Sequence, residues 1–330
     1  MPTQTGRGRG TQVGVNLRDL FPQHPVPAGW FEGKRIAVDG HNVAFRYLTA
    51  VRGPDGDVKR TNGRPVGHLI GFVNLVSYLR ERGAAPIVVW DGATHPLKRS
   101  TVEGRITARV EAALNAEDAL VVGDQESYLK HLRASTYLDA GMVRDAKHLL
   151  QALGVPVVDA PHDGERYAAA LCLAGHADAV ATEDYDALVA GAPFVVRKAG
   201  GPDCSLHDLG DLARHGLSRE QLRHVAILCG TDFHPGVKGF GAKTAVRMLA
   251  EHPDVRRLIA EVEQGIGKTR YHRLLSESGL ALADFDKVDS FLADLPLPPA
   301  PPAQGDDVAM ARKLEREWDL PPRRVTACFT

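Results

Sequence analysis

Acidic side chains recur in this sequence at the ends of apolar segments, where several carboxylates could act together as metal ligands. Asp184 and Asp186 follow the apolar run 177–181, and two other acids follow the runs 34–38 and 85–90. A set of hard oxygen ligands without Cys or His favours Mg²⁺ or Mn²⁺ over zinc. Two such ions about 3.5 to 4 Å apart stabilise the attacking and leaving oxygens of an in-line phosphoryl displacement. The acids of this set are Asp39, Asp91, Asp163, Glu165, Asp184, Asp186 and Asp232.

Each acidic motif also has a simpler interpretation when it is considered alone. An isolated Asp-x-Asp such as 184–186 is more often a polar surface turn than a site, and Asp163 or Glu165 could cap a helix N-terminus. We expect 177–181 to be a strand that presents Asp184 and Asp186 on one face. Like charges placed together repel unless a cation lies between them. The recurrence of the motif along the chain therefore favours a metal site.

The elements that must position these acids follow an alternating pattern of strands and helices. The β-branched run 34–39 and the apolar run 85–90 predict strands, and the helical periodicity of 68–82 predicts a helix between them. This order implies a right-handed parallel crossover and hence a doubly wound, mostly parallel α/β sheet with helices on both faces. Further strands are predicted at 155–158 and 193–196. Ligands bind at the carboxyl ends of such strands, so the acids are expected to meet at one edge.

A long polar, helix-favouring stretch interrupts this pattern after Asp91. We interpret 94–145 as a helical insertion at the sheet edge, with a break at 123–124. Lys98, Arg99, Arg105 and Arg109 lie near its start. A charged helix is often only a solvated surface, but basic side chains beside an acidic site would also hold a polyanionic substrate there.

A glycine-rich hairpin at 236–245 is a second segment that could bind phosphate. Gly239 and Gly241 allow the backbone to approach an anion closely, and Lys243 and Thr244 begin the helix that follows. The amide groups at a helix N-terminus attract negative charge. Alone the motif is weak evidence, because glycine also marks ordinary turns.

Composition sets wide bounds on the class of protein. The 330 residues include 44% hydrophobic and 25% charged residues, which is typical of a soluble globular protein of one large domain or two. The formal net charge of −1, from 40 basic and 41 acidic residues, neither requires nor excludes nucleic acid. Four cysteines without metal-like spacing indicate reduced thiols in a cytosolic protein. We expect neither a membrane span nor a signal peptide.

In order and spacing, these motifs resemble the structure-specific 5′-nuclease family, and most closely the flap endonucleases of archaea and eukaryotes. The resemblance extends over about residues 13–258 and more faintly to the end. It implies a PIN-like fold, seven metal-site carboxylates holding two Mg²⁺ ions, and cleavage of 5′-flap DNA in replication and repair. Asp163 stands where the family usually has Glu, which shortens this side chain by one methylene and keeps its charge. The matching motifs are V-D-G at 38–40, W-D-G at 90–92, A-P-H-D-G-E at 160–165, A-T-E-D-Y-D at 181–186 and G-T-D-F-H-P-G-V-K-G-F-G-A-K-T-A at 230–245.

The resemblance also implies roles for residues outside the acidic set. Lys98 and Arg105 match a pair that contacts the scissile phosphate from a helical arch, here 94–145. Phe45 matches an aromatic residue that stacks on a base near the cut, and Arg52 matches a basic residue of the DNA-binding surface. The hairpin 236–245 matches a helix-two-turn-helix motif, here 225–260, which binds duplex backbone together with a monovalent cation such as K⁺.

Two departures from the family concern the ends of the chain. In the family a Gly directly follows the initiator Met, whereas Gly14 here follows Val13 and a Gly-, Thr- and Arg-rich segment at 1–12 that we expect to be a disordered tail. The resemblance therefore leads us to expect a native start at Val13. The last residues, 323–330, lack the Gln and the aromatic pair of the family's sliding-clamp peptide, so a clamp partner does not follow from the sequence.

We expect a monomer with a nuclease domain at 13–294, a Pro-rich linker at 295–307 and a C-terminal helix and tail at 308–330. Alternative functions are a catalytically idle module that binds DNA structures, a PIN-like ribonuclease, and a phosphatase with a nucleophilic Asp. The sequence leaves open whether exonuclease, gap, bubble or four-way-junction cleavage accompanies flap cleavage.

Overall fold

A computed structural model of the protein describes residues 16–53 and 59–329. The predicted tail 1–12, Val13 and Gly14 lie outside the described residues. The strands are His24–Pro25 (β1), Arg35–Asp39 (β2), Arg60–Thr61 (β3), Arg64–Pro65 (β4), Ala85–Trp90 (β5), Val157–Asp159 (β6), Ala179–Ala181 (β7), Phe194–Arg197 (β8) and Ser205–Asp208 (β9).

Helices surround these strands and include the predicted insertion. Short 3₁₀ helices occur at Pro96–Lys98 and Leu209–His215. The α-helices are Gly40–Ala50 (α1), Gly67–Arg80 (α2), Arg99–Val121 (α3), Gln125–Ser135 (α4), Ala140–Ala152 (α5), Gly164–Leu173 (α6), Asp186–Ala190 (α7), Arg219–Cys229 (α8), Ala242–Glu251 (α9), Val255–Glu263 (α10), Arg270–Ser278 (α11), Leu282–Ala293 (α12), Val308–Trp318 (α13) and Pro322–Ala327 (α14).

The central sheet has seven strands in the order β1-β9-β8-β7-β2-β5-β6. β2 pairs in parallel with β5 and β7, and the parallel pairing extends to β6 on one side and β8 on the other. The outer strands β9 and β1 pair antiparallel. The predicted α/β fold with a mostly parallel sheet is confirmed, while the antiparallel strands and the small β3–β4 hairpin were not predicted.

Apolar layers cover both faces of the sheet because its central strands alternate between them. Ile36 and Val38 of β2 belong to the same buried apolar cluster as side chains of α2, α5 and α13, whereas Ala37 belongs to the cluster that includes side chains of α6, α7, α8 and α9. All three side chains are fully buried. A polar group at the end of such a strand is therefore held by a rigid support.

The insertion consists of the antiparallel pair α3 and α4, which we call the arch. Gly123, with φ 74°, ends the turn between them, and Asp124 caps α4 by accepting a hydrogen bond from the Ser127 amide at 3.0 Å. Ala112 and Ala116 of α3 are buried. The predicted range 94–145 also includes the start of α5, which belongs to the layers on the sheet.

The C-terminal part of the chain returns to the sheet. Residues 295–307, the predicted linker, contain neither helix nor strand, and α13 begins at the predicted start of the C-terminal helix. The sequence analysis predicted no elements at 255–293, where the structure has α10, α11 and α12. Across residues 16–53 and 59–329, none of the helices combines the length and apolar character needed to cross a membrane.

Candidate active site

Two of the predicted acids lie side by side at the carboxyl edge of the sheet. Asp39 ends β2 and caps α1, accepting a hydrogen bond from the Asn42 amide at 3.0 Å. Asp91 directly follows β5, the parallel neighbour of β2, and its side chain accepts a hydrogen bond from the Gly164 amide at 2.7 Å. The strand register therefore places both carboxylates at the same edge, as predicted.

The glycine after each of these acids is required by close packing. A β carbon at Gly40 would lie 2.8 Å from the ring of Trp90, and one at Gly92 would lie 2.0 Å from the carbonyl oxygen of Ala160. Contacts this short would force the backbone apart. In the V-D-G and W-D-G motifs, the acid is thus the candidate ligand, and the glycine allows the close packing that orients it.

Asp163 and Glu165 begin α6 and face the same edge. Asp163 is the helix cap that the simpler interpretation suggested, since its Oδ1 accepts a hydrogen bond from the Arg166 amide at 3.0 Å. Glu165 lies in the first turn of α6, where its Oε1 accepts a hydrogen bond from the buried hydroxyl of Thr182 at 2.6 Å. Both acids therefore reach the sheet edge, but only Asp163 caps the helix.

The prediction that Asp184 and Asp186 share one face of a strand is wrong. β7 ends at Ala181, so Asp184 lies in the following loop and Asp186 is the first residue of α7. The chain turns here because the loop hydrogen-bonds to neighbouring elements, including Asn42 Nδ2, which donates to Asp184 Oδ2 at 3.2 Å. Both side chains nevertheless lie among the other acids.

Mutual repulsion links these acids into one group, which we call the carboxylate cluster: Asp39, Asp91, Asp163, Glu165, Asp184, Asp186 and Asp232. Burial, reinforced by neighbouring carboxylates, raises the pKa of Asp39 and of Glu165 well above the usual range. Burial and the charge of Asp232 raise the pKa of Asp184 to about 6 and that of Asp186 to about 8. Such a group carries its full negative charge near neutral pH only with cations nearby. The donor set, all carboxylate oxygen, suits hard divalent cations.

Lys98 and Arg105, at the base of the arch, contact this cluster directly. Lys98 Nζ lies 2.7 Å from Asp163 Oδ2 and 3.1 Å from Asp232 Oδ2. Arg105 Nη2 lies 2.5 Å from Asp232 Oδ1. Burial opposes the charge on Lys98, but the attraction of Asp163 and Asp232 prevails and raises its pKa. The structure therefore brings together the predicted acids and the predicted bases.

Two other predicted residues lie on α1 and just beyond its end. Phe45 is 36% exposed, and the guanidinium carbon of Arg109 from the arch lies 5.8 Å from its ring centroid. Phe45 is thus beside helix α3 of the arch. Arg52 is half-buried beyond the opposite end of α1 from Asp39, roughly 16 Å away along an 11-residue helix. It is not part of the cluster.

The hairpin 236–245 connects α8 to α9 and follows Asp232 in the chain. Gly236 and Gly239 adopt φ angles of 79° and 91°, which favour glycine. Gly241 caps α9, and Lys243 in its first turn is 77% exposed, with Nζ 3.2 Å from Asp19 Oδ1. Thr244 is half-buried beside it. The glycine turn and the exposed lysine thus lie at the start of α9, and binding of phosphate there stays a prediction.

The sequence analysis missed three polar residues that hold the acids in place. Thr182 accepts a hydrogen bond from the Asp184 amide at 3.3 Å, Asn42 contacts Asp184, and His41 Nδ1 accepts one from the Asp91 amide at 3.1 Å. Each lies within three residues of a predicted acid in the chain. Polar side chains next to acids at buried strand ends are the signal that could have revealed them.

A second group of possible ligands, Glu220, His224 and Asp289, lies between α8 and α12, with ligand atoms within 4.8 Å of one another. Arg256 already contacts both of its carboxylates, at 3.0 Å from Glu220 Oε1 and 2.6 Å from Asp289 Oδ2. Arg223 Nε lies 2.8 Å from Asp289 Oδ1. Because two guanidinium groups neutralise these acids, we attribute the group to packing of α8, α10 and α12.

Comparisons with known proteins find similar sequences and structures over most of the chain. The XPG N-terminal domain matches residues 22–112, and the XPG I-region matches residues 154–232. Flap endonuclease 1 of Archaeoglobus fulgidus is 35% identical over 271 residues, which cover 77% of this chain and 80% of the relative. The structure of flap endonuclease-1 from Methanococcus jannaschii matches with a TM-score of 0.70 and 27% identity, over 96% of this chain and 98% of that one. The catalytic core of Rad2 in complex with a DNA substrate has the same fold, with a TM-score of 0.69 at 21% identity over 93% of this chain and 95% of that one.

Proposed function

Since the chain belongs to the flap endonuclease family of structure-specific 5′ nucleases, we propose that the carboxylate cluster is its catalytic centre. The protein is a structure-specific 5′-flap endonuclease that hydrolyses phosphodiester bonds in DNA. The observation that carries the assignment of the site is the contact of Lys98 and Arg105 with Asp163 and Asp232. At this contact, carboxylates that can bind cations lie beside cationic side chains that can bind a phosphate.

The family is metal-dependent, and the all-oxygen donor set fits two Mg²⁺ ions, with Mn²⁺ as an alternative. Bound divalent ions supply a nucleophile and stabilise charge on the phosphate oxygens. Asp39, Asp91, Glu165 and Asp184 are the principal ligands in this proposal, and Asp163, Asp186 and Asp232 complete the cluster. Lys98 and Arg105 orient the scissile phosphate and stabilise the charge that develops on it.

The DNA-binding surface of this proposal extends from the cluster in two directions. Phe45 stacks on a base beside the cut, and Arg52 contacts the backbone beyond α1. Gly239, Gly241, Lys243 and Thr244 bind duplex backbone at the hairpin 236–245, with a K⁺ ion as the monovalent cation. One chain supplies the whole cluster, which supports action as a monomer.

A cleavage assay tests this function and its alternatives. A 5′-flap DNA, its RNA counterpart and a nicked duplex are incubated with the protein in Mg²⁺ or in EDTA. We expect Mg²⁺-dependent cleavage of the DNA flap, abolished in Asp184→Ala, while that variant binds the flap within a few-fold of wild type. The exposed Asp203→Ala is the matched control. Preferential cleavage of RNA would support a PIN-like ribonuclease, and binding without any cleavage would support an idle module.

A further inference from the structure

We propose that Arg46 and Glu183 are a pair of positioning residues that fixes the loop carrying Asp184 against helix α1. This inference rests on the proposed function and names residues that act through Asp184. Arg46 Nη1 lies 2.5 Å from Glu183 Oε1, and its Nη2 donates a hydrogen bond to the Ala199 carbonyl at 2.9 Å. The two side chains are only 24% and 23% exposed, so water screens their attraction less than at an open surface.

Glu183 also connects the loop to the end of β8. Its Oε1 accepts a hydrogen bond from the Lys198 amide at 2.7 Å, and its Oε2 lies 3.8 Å from Arg197 Nε. Lys198 has a φ of 51°, a left-handed conformation that costs energy in a residue with a side chain. The carboxylate of Glu183 therefore joins three elements, α1, the loop after β7 and the turn after β8.

Helix α1 contacts the same loop a second time, one turn earlier. Asn42 Nδ2 donates to Asp184 Oδ2 at 3.2 Å, and its Oδ1 accepts from the Glu183 amide at 3.3 Å. Asn42 and Arg46 are four residues apart and thus on one face of the helix. Asp39 caps this helix, so the helix fixes the distance between Asp39 and Asp184.

The carboxylate cluster needs such a restraint because its members repel one another. Asp184 is close enough to Asp232 for their charges to interact, and a free loop would relax by moving Asp184 outward. Arg46 restrains the loop through Glu183, so its positive charge does not have to pair with an acid of the carboxylate cluster. Groups that orient a ligand in this way typically change metal affinity by about 10- to 100-fold when they are removed.

The test compares Arg46→Met, Glu183→Gln, the double variant and Arg46→Lys. Mg²⁺ affinity is measured without DNA, as the midpoint of thermal stabilisation during a Mg²⁺ titration. Flap binding is measured in EDTA by fluorescence anisotropy, and kcat and KM are measured in saturating Mg²⁺. The matched control is Arg35→Met, which breaks the ion pair between Arg35 and Asp178 at the opposite edge of the sheet, with Nε and Oδ2 3.3 Å apart.

We expect Arg46→Met and Glu183→Gln each to raise the Mg²⁺ midpoint about tenfold and to lower kcat more than they change KM. The double variant should match the single ones, Arg46→Lys should recover part of the affinity, and flap binding in EDTA should stay within twofold.

An unchanged midpoint would overturn the proposal, as would a loss of flap binding in EDTA equal to the loss of activity, because Arg46 would then contact DNA. If Arg46→Met does not fold, the isosteric Glu183→Gln decides. Failure of the wild type to cleave a flap would refute the proposed function, whereas the Mg²⁺ midpoint tests the pair separately.

Discussion

Replacing Asp186 with Asn should stabilise the metal-free protein, because this side chain is held in a position that disfavours its charge. Burial, Asp232 and Asp184 raise its pKa from 3.8 to about 8. A carboxyl group with a raised pKa in the folded state supports folding fully below its unfolded pKa and progressively less as the pH rises to its folded pKa. At pH 7 the loss corresponds to about three pKa units, or about 4 kcal/mol. Changes in the protonation of the neighbouring acids make the actual loss smaller than about 4 kcal/mol. We therefore expect Asp186→Asn to raise the free energy of unfolding by about 1 to 3 kcal/mol.

Urea denaturation in EDTA at pH 7 and at pH 5 measures this gain. The stabilisation should be smaller at pH 5, since the wild-type carboxyl group is then also protonated in the unfolded chain to a greater extent. Asp203→Asn is the control, because Asp203 is 75% exposed and pairs with the exposed Lys198. A variant less stable than the wild type in EDTA, or a gain of equal size at both pH values, would refute the reasoning.

Three further substitutions test other parts of the site. Lys98→Met should lower the single-turnover rate constant of flap cleavage about 10²- to 10³-fold, with the exposed Lys313→Met as control. Full activity would remove Lys98 from the site. Lys243→Ala should weaken binding to all duplex-containing DNA alike and reduce the salt slope of log K by about 1, and a loss confined to one sequence would contradict a backbone contact. Gly92→Ala should cost at least about 2 kcal/mol in urea denaturation, because its β carbon would lie 2.0 Å from the Ala160 carbonyl oxygen; wild-type stability would show that this turn relaxes freely.

The elements that sequence predicted well are those whose pattern is local. The apolar run 85–90 is continuous and ends at an acid, and β5 has these bounds. The arch was recognisable because a helix-favouring stretch is broken only at Gly123, where the structure has a left-handed turn. The positions of Asp184 and Asp186 relative to one strand were mistaken, because the loop after β7 is shaped by Asn42 and Arg46, about 140 residues away in the chain. Contacts between such distant segments leave no periodic signal in the sequence.

Asp163 shows how one side chain can serve both the helix and the site, and why its type matters here. Its Oδ1 accepts a hydrogen bond from the Arg166 amide of α6, while its Oδ2 lies 2.7 Å from Lys98 Nζ. Short side chains such as Asp are preferred as helix caps because they reach back to the first-turn amides. Burial favours the neutral form of Asp163, yet Lys98 prevails and lowers its pKa, in contrast to the raised pKa of Asp39, Glu165, Asp184 and Asp186. The shorter residue at this position of the family motif therefore joins the cap of α6 to the base of the arch, so that α6 and Lys98 are positioned by the same carboxylate.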